Sequence, residues 1–139
     1  MKTGITFGAF DLCHTGHVLM FAECKQLCDY LIVGLQVDPS LERKEKNTPV
    51  QSLYERYVQL NAIKYIDEII PYAYEHEIIQ ILQSRSLNVR FVGTDYIDRD
   101  FTGKDCCVSR SIDLFFNNRD HGFSTTELRK RIESSNNRK

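Results

Sequence analysis

FGAFDLCHTGH, residues 7–17, is the stretch from which the fold can be read. It follows a short run rich in β-branched and aromatic residues, 3–7, that reads as a strand. It leads into a segment with apolar residues at Val18, Leu19, Phe21, Ala22 and Leu27, whose spacing predicts a helix over 16–27. A strand, a turn holding glycines and two histidines, and a helix form the opening half of a β-α unit.

Moving outward, DYLIVGLQ (29–36) carries an unbroken apolar run from Tyr30 to Leu35, which suits a strand buried on both faces of a parallel sheet. Residues 38–52 are polar and charged, with Pro39 and Pro49; a loop this long in a compact domain is commonly functional. Ser52 and Glu55 form a capping-box pattern, predicting a helix over 53–65. EIIPY (68–72) reads as a strand, 75–84 as a helix and NVRFVG (88–93) as another strand. Residues 96–105 are polar and irregular, and IDLFF (112–116) gives a fifth strand. Ser124 and Glu127 open a last helix, after which the polar tail is expected to fray. We therefore expect one domain over 1–133 and a tail over 134–139. Alternation of this kind builds an open parallel sheet with helices on both faces, whose ligands gather beyond the carboxyl ends of the strands. That edge would collect the turns at 7–17, 92–96 and 117–126.

Composition narrows the function. The 18 basic and 19 acidic residues leave a net charge of -1, so no global basic field recruits nucleic acid. No apolar stretch approaches the ~18–20 residues of a membrane span, and the N-terminus lacks the apolar core of a secretory signal. A cytoplasmic protein with no membrane partner is expected. Five cysteines, an odd count, argue for buried thiols over a disulfide framework.

The histidine turn has three readings. As a phosphate seat, Gly8 lets the chain turn sharply and Gly16 lets a ligand approach the backbone. The helix N-terminus offers amides and a favourable dipole, and His14 and His17 add side-chain donors. As a metal site it lacks a third ligand of suitable spacing, even with Cys24 and Cys28 nearby in sequence. As a plain turn, His14 would bond the backbone and His17 would cap the helix.

TFGAFDLCHTGH (6–17) resembles the HxGH signature of the cytidylyltransferase-like nucleotidyltransferases, and RDHGFSTT (119–126) resembles their second signature, RTEGISTT. CKQLCDYLIVGL, YERYVQLNAIKYIDEIIP and FVGTDY are most similar to the small glycerol-3-phosphate cytidylyltransferase branch, over residues 3 to 132. The resemblance implies a single-domain, Rossmann-like α/β fold with about five parallel strands. It also implies cytidylyl transfer from CTP to a small phosphorylated acceptor, foremost glycerol 3-phosphate, with release of pyrophosphate.

Such a reaction needs no general base, because the attacking phosphate oxygen is already ionised; it needs positioning and charge stabilisation. On that resemblance His14, His17, Lys44, Lys46 and Arg119 are the catalytic residues. The nucleotide would be held by Phe7, Gly8, Ala9, Phe10, Asp11, Gly16, Gly93, Asp95, Gly122, Phe123, Ser124, Thr125 and Thr126. Arg56 and Lys64 would bind the acceptor, Lys64 standing where the family pattern has an arginine. Magnesium is expected to come with the nucleotide, held mostly by nucleotide and water, and Asp11 is expected either to orient the turn as a backbone acceptor or to contribute to the magnesium-phosphate network. Thr94 and His121 replace acidic residues of the pattern and Phe123 an aliphatic one. A homodimer is implied by the resemblance alone. Transfer to another phosphorylated alcohol or sugar, and a nucleotide-binding module without catalysis, are the competing expectations.

Overall fold

The computed structural model describes residues 1–118 and 122–137. Five strands, β1 (Thr3–Gly8), β2 (Tyr30–Gln36), β3 (Glu68–Tyr72), β4 (Val89–Gly93) and β5 (Asp113–Asn117), form one parallel sheet in the order β3-β2-β1-β4-β5. The helices are α1 (Thr15–Gln26), α2 (Leu53–Asn61), α3 (Glu75–Ser84), α4 (Lys104–Ser109) and α5 (Thr125–Asn137), with single 3-10 turns at Pro39–Leu41 and Thr94–Tyr96. The open parallel sheet expected from the element order is the one observed.

Alternation along the strands divides two cores. Leu31, Val33 and Leu35 of β2, with Phe91 of β4, pack with Phe21 and Cys24 of α1 and Leu60 of α2. Ile5 of β1 and Ile32 of β2 point the other way, onto Ile78 and Leu82 of α3 and Cys107 of α4. Burial on both faces is why β2 reads as a continuous apolar run rather than an alternating one.

Three expectations are corrected. The stretch from 96 to 105 does not run irregularly into the fifth strand. It enters α4, which supplies the crossover that two adjacent parallel strands require. Only six residues long, α4 shows too little periodicity to be read from sequence. The second helix stops at Asn61, not 65, because the chain turns back to pack Ile63, Tyr65 and Ile66 against the core. The last helix continues to Asn137, through residues expected to fray.

Strand order reverses between β1 and β4, since β1 connects onward to β2 on one side while β4 and β5 lie on the other. A crevice opens beyond the carboxyl ends at such a switch point. The β1–α1 turn sits there.

Candidate active site

The chain leaves β1 through two residues in the left-handed region, Phe10 and Leu12, each at φ 50°. Non-glycine residues held there cost on the order of 1–3 kcal/mol each and persist where the surroundings fix them. The sharp turn is thus made at Phe10 and Leu12 and not, as expected, at Gly8. Gly8 is needed for space instead, since a Cβ there would meet the Phe10 ring at 3.0–3.3 Å.

Asp11, between the two strained residues, fixes them. Its carboxylate accepts from the Val50 amide at 2.8 Å, the Gln51 amide at 3.0 Å and the Arg129 guanidinium at 3.1 Å. Gln51 Oε1 accepts in return from the Leu12 amide at 2.9 Å. The Thr125 hydroxyl reaches the Asp11 carbonyl at 3.3 Å. One buried carboxylate therefore ties the histidine turn to the 38–52 loop and to α5.

Arg56 completes the tie. It is 2% exposed and donates to four backbone carbonyls: Gln36 and Val37 at 2.6 Å, Ala9 at 3.0 Å and Gln51 at 3.1 Å. Burial pushes its pKa down from the ordinary guanidinium range, the nearby Asp11 and Asp38 acting in the opposite sense.

At the start of α1, His14 is the N-cap. Its Nδ1 accepts from the Gly16 amide at 3.0 Å, and His17 Nδ1 accepts from the His14 amide at 3.3 Å. An imidazole that accepts at Nδ1 carries its proton at Nε2 when neutral. The cap therefore sets both tautomers as Nε2–H donors, with the rings stacked at 3.9 Å. Capping uses Nδ1 of each ring and donation would use Nε2, so the plain-turn geometry is present and is compatible with a phosphate seat.

Both histidines line a cleft of about 670 Å³ at the carboxyl edge. One flank is formed by Phe10, His14, Gly16 and His17 together with Gly122, Phe123, Ser124 and Thr125. The other flank, toward α3, carries Phe7, Tyr72, Arg90, Phe101 and Thr102, with Arg43 and Lys46 at the lining of the loop. Ser124 also accepts from the Glu127 amide at 3.0 Å, the expected cap of α5.

The sequence model of the family described as Cytidylyltransferase-like matches residues 5–131. The chain belongs to the cytidylyltransferase-like family. Among its relatives, the glycerol-3-phosphate cytidylyltransferase of Bacillus subtilis (strain 168) is 33% identical over 132 residues, covering 95% of this chain and 98% of that protein. The bifunctional protein HldE of Nitrosococcus oceani is 31% identical over 125 residues, which span 89% of this chain but only 26% of HldE. A lipopolysaccharide core biosynthesis protein from Thermoplasma volcanium shares the fold, with a TM-score of 0.71 at 19% identity over 87% of this chain and 99% of that one.

Of the residues singled out on the family resemblance, Phe7, Gly8, Ala9, Phe10, His14, Gly16, His17, Lys46 and Gly93 all line the cleft, as do residues 122–125. Others do not. Asp11 and Arg56 are spent behind it on the contacts above, and Lys44, Asp95 and Thr126 lie outside the lining. Lys64 stands in the turn before β3, at the amino edge of a parallel sheet, with its ammonium 5.2 Å from the Tyr65 ring. Arg119 and His121 lie outside the described residues.

The family patterns did not point to Arg43, Tyr72, Arg90 or Asn117. Arg90 had a signal: a lone arginine inside a strand otherwise apolar and buried on both faces. Tyr72 and Asn117 end their strands at 4% and 2% exposure, and burial pushes the Tyr72 hydroxyl far up. Burial likewise raises the thiols of Cys13, Cys24, Cys28 and Cys107, Cys24 to about 12, which keeps these four protonated. Among the described residues no three His, Cys, Asp or Glu side chains gather to hold a metal, and no helix is long and apolar enough to cross a membrane.

Proposed function

We propose that the protein transfers a cytidylyl group from CTP to a small phosphate monoester, foremost glycerol 3-phosphate, giving CDP-glycerol and pyrophosphate. The observation that carries this reading is the pair of Nε2–H donors, His14 and His17, fixed side by side at a helix N-terminus inside the cleft. An oxygen of the acceptor's phosphate attacks the α-phosphorus in line, the new P–O bond forms, and the bond to the β-phosphate bridging oxygen breaks. The electron pair leaves with pyrophosphate. The two imidazoles donate to α- and β-phosphate oxygens as charge moves onto them, and donors placed this way act most strongly in the transition state. Lys46 supplies a mobile cation from the loop, and Lys44 and Arg119 belong to the same proposal on sequence grounds. Thr125 and Ser124 frame the nucleotide from α5.

Magnesium in this reading arrives on the triphosphate and neutralises its oxygens. Asp11 is unsuited as a ligand because its carboxylate is already engaged by two amides and Arg129. Arg56 and Lys64 lie outside the cleft, which favours a second reading of the acceptor: the same chemistry on another phosphorylated alcohol or sugar.

The test uses glycerol 3-phosphate labelled with oxygen-18 in its phosphate group. Attack at the α-phosphorus carries the label into CDP-glycerol and leaves the pyrophosphate unlabelled. Label in pyrophosphate, or no nucleotide product with any phosphate monoester, would remove the assignment.

A further inference from the structure

Arg90 is a buried cation with no carboxylate partner among the described residues. It lies on β4 at 6% exposure, on the sheet face that packs α3 and α4. Its guanidinium carbon is 4.9 Å from the Phe7 ring centroid and 5.0 Å from that of Phe101. Nη1 donates to the Thr102 carbonyl at 2.6 Å, while Nε is buried without a hydrogen-bond partner. Among the described residues no Asp or Glu makes an ion pair with it. Burial lowers the guanidinium's pKa, and against it act the neutral Cys107 thiol, through a hydrogen bond, then Tyr72, and only then Glu75, which itself faces Arg43 at 3.8 Å.

Burying a guanidinium without a counter-charge is costly, and an apolar side chain would fill the same space more favourably. The surroundings are nevertheless cut to hold it. Gly103, at φ +83°, lies so close that a Cβ would stand 3.0 Å from Arg90 Nη1 and 2.6 Å from Leu82. The side chain also lines the cleft, on the flank away from the histidines. A cation kept at such cost in a cleft points to an anion that arrives from outside.

We propose that Arg90 is the residue that holds an anionic group of the acceptor, and that it thereby sets acidic character as the condition for acceptor binding. The proposal rests on the transferase reading only for the word acceptor. The histidines and residues 122–125 occupy the opposite flank, and although Phe7 shares the arginine's flank, the rest of that flank is left for the second substrate. Arg43 and Lys46 line the same cleft and add to the positive field at its loop side. The anion is either the acceptor's phosphate or an acid group on its tail.

The experiment is calorimetric titration of wild type, Arg90→Met and Arg90→Lys with three probes and with CTP. Inorganic phosphate offers the phosphate alone, glycerol 3-phosphate adds a neutral tail, and 3-phosphoglycerate adds a carboxylate. Loss of a charged hydrogen-bonding partner predicts about 10- to 100-fold weaker anion binding by Arg90→Met, with a smaller loss in Arg90→Lys. The affinity for CTP should stay within about twofold, since no nucleotide contact is removed. Equal weakening for all three probes assigns Arg90 to the phosphate; weakening confined to 3-phosphoglycerate assigns it to the tail. Unchanged anion affinity in both variants, equal loss for CTP, or no saturable anion binding by wild type overturns the proposal. If Arg90→Met does not fold, Arg90→Lys carries the same comparison. Failure of pyrophosphate release by wild type would count against the transferase reading alone, because the binding comparison does not require turnover.

Discussion

At the scale of single residues, two groups of the histidine turn and its surroundings separate chemistry from architecture. His17 uses Nδ1 to cap α1, which leaves Nε2–H as its donor in the cleft. His17→Ala should lower kcat by about 10²–10³, the usual cost of one transition-state donor. It should lower folding stability by only about 1 kcal/mol, the usual cost of a lost cap contact. Steady-state kinetics beside thermal melts check both, and a stability loss with unchanged kcat would leave His17 a cap only. Arg56 should behave in the opposite way. Arg56→Met strips the partners from four carbonyls, so stability should fall by about 2–5 kcal/mol. A normal melt combined with a raised KM for the acceptor would instead make Arg56 a substrate ligand. Sequence alone could find the histidines, because HTGH falls at a strand-to-helix seam. It could not find what Arg56 does. Whether a helical arginine faces a cleft or folds back onto carbonyls depends on contacts with residues 5, 19, 20 and 47 positions away, which no local pattern records. Arg90 escaped for the same reason, although its placement in an apolar strand was visible.

At the scale of elements, the 38–52 loop is latched to the β1–α1 turn and to α5 through Asp11. Asp11→Asn loses the charge that Arg129 and the two amides share, and its amide can accept at only one atom. The loop should then sample positions that misplace Lys46, lowering kcat/KM by about 10- to 100-fold. The magnesium concentration needed for half-maximal rate should not change. A marked rise in that concentration would make Asp11 a metal ligand and contradict the latch. The elements themselves were largely legible. Continuous burial marked β2, the capping boxes marked α2 and α5, and their order implied the parallel sheet. The short α4 was not legible, because six residues with adjacent cysteines carry no period; only the geometry of parallel neighbours demands it.

At the scale of the whole molecule, both edges of the sheet carry polar ties, and the cleft lies at the carboxyl edge. The amino edge is held by polar ties. Arg85 grips Glu68 through two bonds of 2.6 Å, the Tyr30 hydroxyl donates to the same carboxylate at 2.8 Å, and Lys25 pairs with Asp67. The Arg85 guanidinium holds the Glu68 carboxyl below its ordinary value of 4.5. For Asp67, burial works to raise the carboxyl, but Lys25 and the Leu31 amide together bring it below its ordinary range. A depressed carboxylate adds stability above its unfolded pKa and loses that contribution as pH falls through its folded value. The melting temperature should thus be insensitive to pH just above about pH 5 and fall on further acidification. Arg85→Leu should flatten part of that fall, and an unchanged acid slope in the variant would contradict the assignment. At the carboxyl edge, long-range contacts assemble the strained turn, the paired imidazoles and the buried Arg90 around the cleft. The most direct measurement of the central claim is pyrophosphate release in magnesium, with CTP, ATP, GTP and UTP each crossed against a panel of phosphate monoesters led by glycerol 3-phosphate. Release is expected with CTP and only when a phosphate monoester is present. Release that needs no acceptor, release that prefers another nucleotide, or silence across the panel would contradict that claim.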